Sequence, residues 1–422
     1  WAQAPAHTGH RRCGGSCPTT AAMAAVAVRA APPSMSGLPG PPLPSPAAGD
    51  SCRRSLVLDS GTRTWRCGSS GGVAPSIELA APGFTQARQP AWEALEAFYA
   101  GALAAAACAA VGGSTASGLR GADVQSESLA DWPTLLTDPW PLAPRSERER
   151  LAQLLFEGVG LPALQVVPQA TLALFATGRL SGLVLDCGHR ASRAVAIEEG
   201  VALPGAALRS PIGGLRLTEY LRRGCPVEGS EHSAVDAVLL DWDVAERAKE
   251  RLCTVAPPTA GLPGLPPGTA AAAGASEGAG ALELPDGRSL SLGPERARCP
   301  EALFSPPAFL GGEGSSLQAL VARALLGAPS ASRPGLCMSG VVLAGGTSRF
   351  EGLPSRLGAE VQIALSKQTP KLKIGLAVPE ERQLLTWRGG SILASLGGFQ
   401  ELWVTKADYQ EHGPSILSAR CC

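Results

Sequence analysis

The run MSGVVLAGGTSRFEGLPSRL, Met338 to Leu357, decides the fold. It opens on a β-branched apolar stretch, turns through Ala344-Gly345-Gly346-Thr347 and resumes with apolar residues at helical spacing. We read Gly335–Gly346 as a strand and Gly352–Leu365 as the helix after it. Gly390–Trp403 reads as a further helix, with Ile392, Leu393, Leu396, Phe399 and Leu402 on its apolar stripe. A glycine-rich turn after a strand lets backbone N–H groups close around phosphate oxygens. The Gly345-Gly346-Thr347 turn is therefore a candidate nucleotide loop.

Two upstream stretches share the pattern. Ser55–Asp59 (SLVLD) stops at Ser60-Gly61-Thr62, and Gly182–Asp186 (GLVLD) stops at Cys187-Gly188. Each alone reads as an ordinary hairpin turn. Their repetition implies two similar lobes facing one site, with an aspartate at each turn to hold a metal ion beside phosphate. Around them, Gly71–Pro82 is expected to supply the returning strand of the first hairpin, and Pro90–Ala106 an amphipathic helix. Pro133–Thr137 and Leu164–Val167 read as strands. Ser146–Gly158 reads as a helix with Arg148 and Arg150 in water, and Ala170–Thr177 as a helix capped by Gly178. A helix over Asp241–Cys253 and a strand pair around Ala281–Leu292 complete an alternating α/β order.

Composition sets the frame. A chain of 422 residues with 45% hydrophobic content can fill a sizeable core. Thirty-six basic residues balance thirty-six acidic ones, so net charge gives no case for nucleic acid or a membrane surface as partner. No apolar run reaches bilayer length. Twelve scattered cysteines and five histidines suit free thiols in a reducing compartment and no structural zinc. Residues 1–50 hold no acid before Asp50 and are rich in Ala, Pro and Gly, which reads as a disordered leader and is also compatible with a transit peptide. Ala/Gly-rich residues 104–130 and Pro/Ala-rich residues 256–280 read as inserts.

The Met338–Leu357 run and the stretch WRGGSILASLGGFQELWVTKADYQEHGPSI, Trp387 to Ile416, together resemble the C-terminal part of actin and the actin-related proteins. Residues 283–311, 160–188 and 245–256 are similar to the same family, and SLVLDSGTRTWRCG resembles its first phosphate hairpin. The resemblance implies an α/β actin-like ATPase fold, two lobes around a nucleotide cleft. Residues 51–180 with 385–422 would form the first lobe and residues 181–384 the second. It implies ATP or ADP with Mg as cofactor, Asp59 and Asp186 on the metal side, and Gln169 positioning the attacking water. Gly61 and Thr62 fall on the first loop, Gly188 on the second, Lys249 with Glu250 at the base, and Gly214, Gly345, Gly346 and Thr347 on the nucleoside side.

Departures from the family are equally specific. Arg63 stands for a loop glycine, Arg66 for the phosphate lysine, His189-Arg190 for Asp-Gly, Arg193 for a histidine near the water and Gln383 for a base-side lysine. Three readings remain open: drift of an unused site, arginines substituting for metal or nucleotide, or nucleotide binding without efficient hydrolysis. All three imply a poor ATPase.

Pro82 and Trp92 stand ten positions apart, too close for the small second subdomain through which family members grip a neighbour, so that subdomain is expected to be largely missing and self-polymerisation is not expected. Phe175, Leu393, Leu396 and Leu402 would line the apolar groove that accepts a partner's amphipathic helix. The divergent, insert-bearing sequence is most similar to tissue-restricted mammalian actin-like proteins. That implies a cytoplasmic scaffold in a cytoskeletal assembly, with male germ cells as a setting. The alternatives are a nuclear subunit of a chromatin-remodelling complex and a slowly hydrolysing ATP-binding protein.

Overall fold

The computed structural model describes residues 54–81, 92–111, 129–138, 145–224, 241–258, 281–284, 287, 289–310, 316–369 and 372–420. The leader, the insert from 259 to 280 and the interval 82–91 on which the missing-subdomain expectation rests lie outside the described residues.

Thirteen strands are described, in chain order β1 (Leu56–Ser60), β2 (Thr64–Ser69), β3 (Ile77–Ala80), β4 (Thr134–Asp138), β5 (Ala163–Pro168), β6 (Gly182–Cys187), β7 (Ser192–Glu198), β8 (Val201–Ser210), β9 (Leu282–Glu283), β10 (Ser289–Leu290), β11 (Val341–Ala344), β12 (Leu376–Ala377) and β13 (Val404–Thr405). One sheet runs β13-β5-β4-β1-β2-β3, a second runs β12-β11-β6-β7-β8, and β9 pairs with β10. The repeat seen in the sequence has a counterpart in topology. β1 is antiparallel to β2 and parallel to β4, while β6 is antiparallel to β7 and parallel to β11. β1, β4, β6 and β11 are almost fully buried, as near-continuous apolar runs should be in strands covered on both faces.

Two helices bring the sheets together. Gln169–Phe175 leaves β5 and leads toward β6, and Leu385–Ala394 lies against it and against β1. Their backbones almost touch: a Cβ on Gly389 would stand 1.9 Å from the Leu172 carbonyl oxygen, and one on Gly390 would stand 2.8 Å from Val57. Trp387, fully buried, donates its indole N–H to the Val57 carbonyl at 3.2 Å and locks this helix to β1. The apolar cluster there joins Val57, Leu135, Leu172, Trp387 and Phe399.

Several local expectations need correction. The returning strand of the first hairpin is Thr64–Ser69, three positions after Gly61, and Gly71–Pro82 supplies only the third strand. The helix from Trp92 continues to Ala110, so residues 104–110 of the supposed insert are helical, with Ala106 and Ala107 buried in the core. Alanine is the best helix former, and a run of it against an apolar sheet face extends the helix. Arg148 is buried against Asp138 at 3.5 Å rather than in water. The α-helix there ends at Gln153 and finishes in a π-turn, Leu154–Gly158.

Residues Arg333–Ser339 form a helix ended by Gly340 at φ +79°, leaving only Val341–Ala344 as strand. The expected Gly390–Trp403 helix starts earlier, at Leu385, ends at Ala394 and gives way to a 3-10 segment over Gly397–Leu402. Gly397-Gly398 is the sequence reason, since paired glycines make continued helix entropically costly. Six cysteines lie among the described residues, all as free thiols, and no helix there is long and apolar enough to cross a membrane.

The close helix contact carries an expectation. Gly389→Ala should cost about 1–3 kcal/mol by overpacking. Gly358→Ala, in the Leu353–Ser366 helix with nothing within 4 Å of its added methyl, should gain up to about 1 kcal/mol. Denaturant midpoints of the two variants check this, and equal effects would show that the helices do not meet as described.

Candidate functional site

Between the two sheets lies a cavity of about 510 Å³. Every residue expected at the nucleotide site lines it: Asp59, Gly61, Thr62, Gln169, Asp186, Gly188, Gly214, Lys249, Glu250, Gly345, Gly346 and Thr347. So do the departures Arg63, Arg66, His189, Arg190, Arg193 and Gln383. Residues more than 300 positions apart in the chain thus meet because β1, β6 and β11 all end at this cleft.

The first wall is the β1–β2 hairpin. Gly61 permits its tight return, since a Cβ there would stand 2.5 Å from the Thr64 carbonyl oxygen. Antiparallel register places Arg66 directly across from Asp59, with Nη1 at 4.0 Å from Oδ2. Asp59 Oδ1 accepts from Thr137 Oγ1 at 2.8 Å and from Gln169 Nε2 at 3.5 Å, and Gln169 also donates to Thr137 at 3.3 Å. Burial raises the Asp59 carboxyl to about 6, against the pull of Arg66 and the Thr137 hydrogen bond. Arg66 is held from its other side by Glu78 on β3 at 3.0 Å.

The second wall repeats the design. Register places Arg193 directly across from Asp186, with Nη1 at 3.3 Å from Oδ2. Burial in the cleft pushes Asp186 above the ordinary carboxylate range and the arginine opposes it. The Gly188 carbonyl accepts from the Gly214 N–H at 3.1 Å and from Thr347 Oγ1 at 2.9 Å, which ties the second loop to the helix Gly214–Arg222 and to the Gly345-Gly346-Thr347 turn. Gly345, at φ +88°, passes so close that a Cβ would stand 2.5 Å from Asp186 Oδ1, whereas Gly346 faces open space.

At the mouth, the exposed Arg63 crosses from the first hairpin to the helix Trp242–Leu252. Its Nε lies 3.1 Å from Glu246 Oε1, and Nη1 donates to Glu250. Lys249 Nζ is buried and donates to Thr218 Oγ1 at 2.8 Å and to the Gly214 carbonyl at 3.0 Å. Its ammonium braces two helices from below the cavity. Burial, and then the nearby Lys249, Arg63 and Arg190, pull His189 down to about 3, so it is neutral at pH 7. Sequence reasoning missed Thr137, Glu78 and Glu246. Glu246 had a signal, since positions 246, 249 and 250 share one helix face; Thr137 and Glu78 had none, because strand neighbours make them partners.

The donor set does not fit a divalent cation. Asp59 and Asp186 each face a guanidinium, and the buried Asp59 oxygen is further taken by two hydrogen bonds. Among the described residues no group of three His, Cys, Asp or Glu could hold a metal ion.

Of the four residues expected in a partner groove, Phe175 and Leu393 belong to the core, with Leu393 only 1% exposed. Leu396 and Leu402 pack half-buried at its edge. Leu393 points inward because the helix turns its apolar side to β1 and Leu172, so it is not a groove residue.

The profile of the Actin family matches residues 115–229 and 238–422. The chain belongs to the actin family. It is 37% identical over 289 residues to Actin-like protein 9 of Mus musculus, covering 68% of this chain and 65% of that protein. It is 35% identical over 291 residues to Actin-like protein 9 of Rattus norvegicus and to that of Bos taurus, covering 69% of this chain and 66% of each relative. The chain thus spans just under two thirds of the length of these curated relatives. Membership fixes the actin fold for the two-sheet architecture, and the family in general binds ATP with Mg.

The raised Asp59 carboxyl makes a pH expectation. Its folded value of about 6 lies above the ordinary 3.8, so the folded chain binds more protons between these limits and loses stability as pH rises through them. Asp59→Asn removes that loss. Its stability relative to the parent chain should therefore grow from pH 4 to pH 7, by up to about 3 kcal/mol. His189 contributes with the opposite sign, losing stability as pH falls below its ordinary range, but equally in both proteins. Thermal unfolding across the range checks this, and a gap that narrows toward pH 7 would contradict a carboxyl raised by burial.

Proposed function

We propose that this chain is a non-polymerising actin-family scaffold of the cytoplasmic cytoskeleton whose cleft has lost metal-assisted ATP hydrolysis. The observation that carries the reading is the cross-strand pairing of each cleft carboxylate with an arginine. Hydrolysis in a two-lobed phosphate cleft needs charge on the transferring group to be neutralised by a bound cation, and a water held in line. Here each carboxylate that would hold the cation faces a guanidinium, and the Gln169 amide, in the cavity lining, donates to Asp59 and Thr137.

Loss of assembly is supported by the step of only ten positions from Pro82 to Trp92, which leaves no room for the second subdomain. A binding role is supported by what stays intact: a two-sheet body, with the half-buried Leu396 and Leu402 at the rim where a partner helix would rest. Partners of this kind are cytoskeletal or actin-binding proteins. Balanced net charge speaks against direct contact with nucleic acid or membrane.

Phosphate release from Mg-ATP and sedimentation under salt conditions that polymerise actin test this together. The expected result is release no faster than the buffer control, and protein that stays in the supernatant. Steady turnover would overturn the pseudo-ATPase reading, and a pellet of filaments the assembly reading.

A further inference from the structure

Occupied carboxylates leave the cleft with unbalanced charge. Among the described residues six cationic side chains line it against three carboxylates, a formal excess of three positive charges, and His189 adds none at pH 7. Widening the count to the neighbours Glu78 and Glu246, and to Arg209 and Arg382, leaves the excess at three. It is concentrated on the second wall. Across β6, β7 and β8 the register aligns Asp186, Arg193 and Arg209, one carboxylate for two guanidinium groups, and Arg190 stands at the head of the same hairpin. Like charges directly opposite one another on a sheet repel. Arg193 is moreover only partly satisfied: Nη1 meets Asp186, while its buried Nε has no hydrogen-bond partner.

We infer that the cleft takes a phosphate-bearing polyanion as the free anion, with Arg66, Arg190 and Arg193 standing where a divalent cation would otherwise neutralise it. Guanidinium groups suit this role because their fixed forks bind phosphate oxygens bidentately and stay charged when buried. The open backbone at Gly346 leaves room for phosphates or a nucleoside beside them. A nucleotide and an inorganic polyphosphate share the chemistry. The inference rests on the reading of the cleft as non-hydrolytic, since metal-assisted turnover would require Asp59 and Asp186 to be free.

The test is calorimetric binding of ATP, and separately of inorganic tripolyphosphate, to the full chain in excess chelator and again in excess magnesium. Binding is expected in chelator, no tighter with magnesium, and weakening as salt is raised. Arg193→Gln should weaken it about tenfold or more, and Asp186→Asn should tighten it several-fold by releasing Arg193. Tripolyphosphate binding as tightly as ATP would identify the phosphates as the recognised part; ATP alone would add a nucleoside contact. Should Arg193→Gln fold poorly, the salt dependence and the Asp186→Asn result decide. No binding of either probe in chelator, or binding that needs magnesium and is lost in Asp186→Asn, would overturn the inference. Magnesium-dependent binding without turnover would do so while leaving the proposed function standing.

Discussion

Strand register sets Arg66 across from Asp59 and Arg193 across from Asp186, and what the cleft can do follows from those two pairings. Burial raises the cost of ionising both carboxylates, and Asp186 adds a smaller contribution at Asp59. Without opposite charge they would be expensive to keep there. Each sheet supplies its own guanidinium from the adjacent strand, so the pairing is fixed by hairpin geometry and needs nothing from outside the protein. The same duplication of strand, turn and hairpin that makes an actin-type cleft therefore also sets an arginine opposite each of its two aspartates.

The two halves meet through apolar packing below and ionic contact above. Below, Gly389 and Gly390 let two helices approach until backbone touches backbone, and Trp387 anchors one of them to β1. Above, Arg63 spans to Glu246 and Glu250 across the mouth. Exposed ion pairs contribute little individually, so the glycine contact does more than Arg63 to hold the two sheets together.

Much of this could be read from residues alone. The SLVLD and GLVLD echoes identified paired β-units, and the Gly345-Gly346-Thr347 turn identified the third loop, because strand-then-glycine patterns are local. Arg63 and Arg193 could be recognised as departures, but their pairing with Glu246 and Asp186 could not. Glu246 is 183 positions from Arg63, and only the folded cleft brings them together. Alanines 104–110 misled because their low complexity resembles a loop, while their intrinsic preference is helical. Leu393 misled for another reason: a helix stripe shows which side is apolar, and not whether a core or a partner covers it.

The pairing of carboxylate with arginine can be observed directly. Crystals of the protein soaked with manganese and ATP would show, in anomalous difference maps, whether a cation enters between Asp59 and Asp186. The account expects no manganese there and both guanidinium groups still opposite their carboxylates. A manganese peak bonded to either aspartate, with Arg66 or Arg193 swung away, would contradict it.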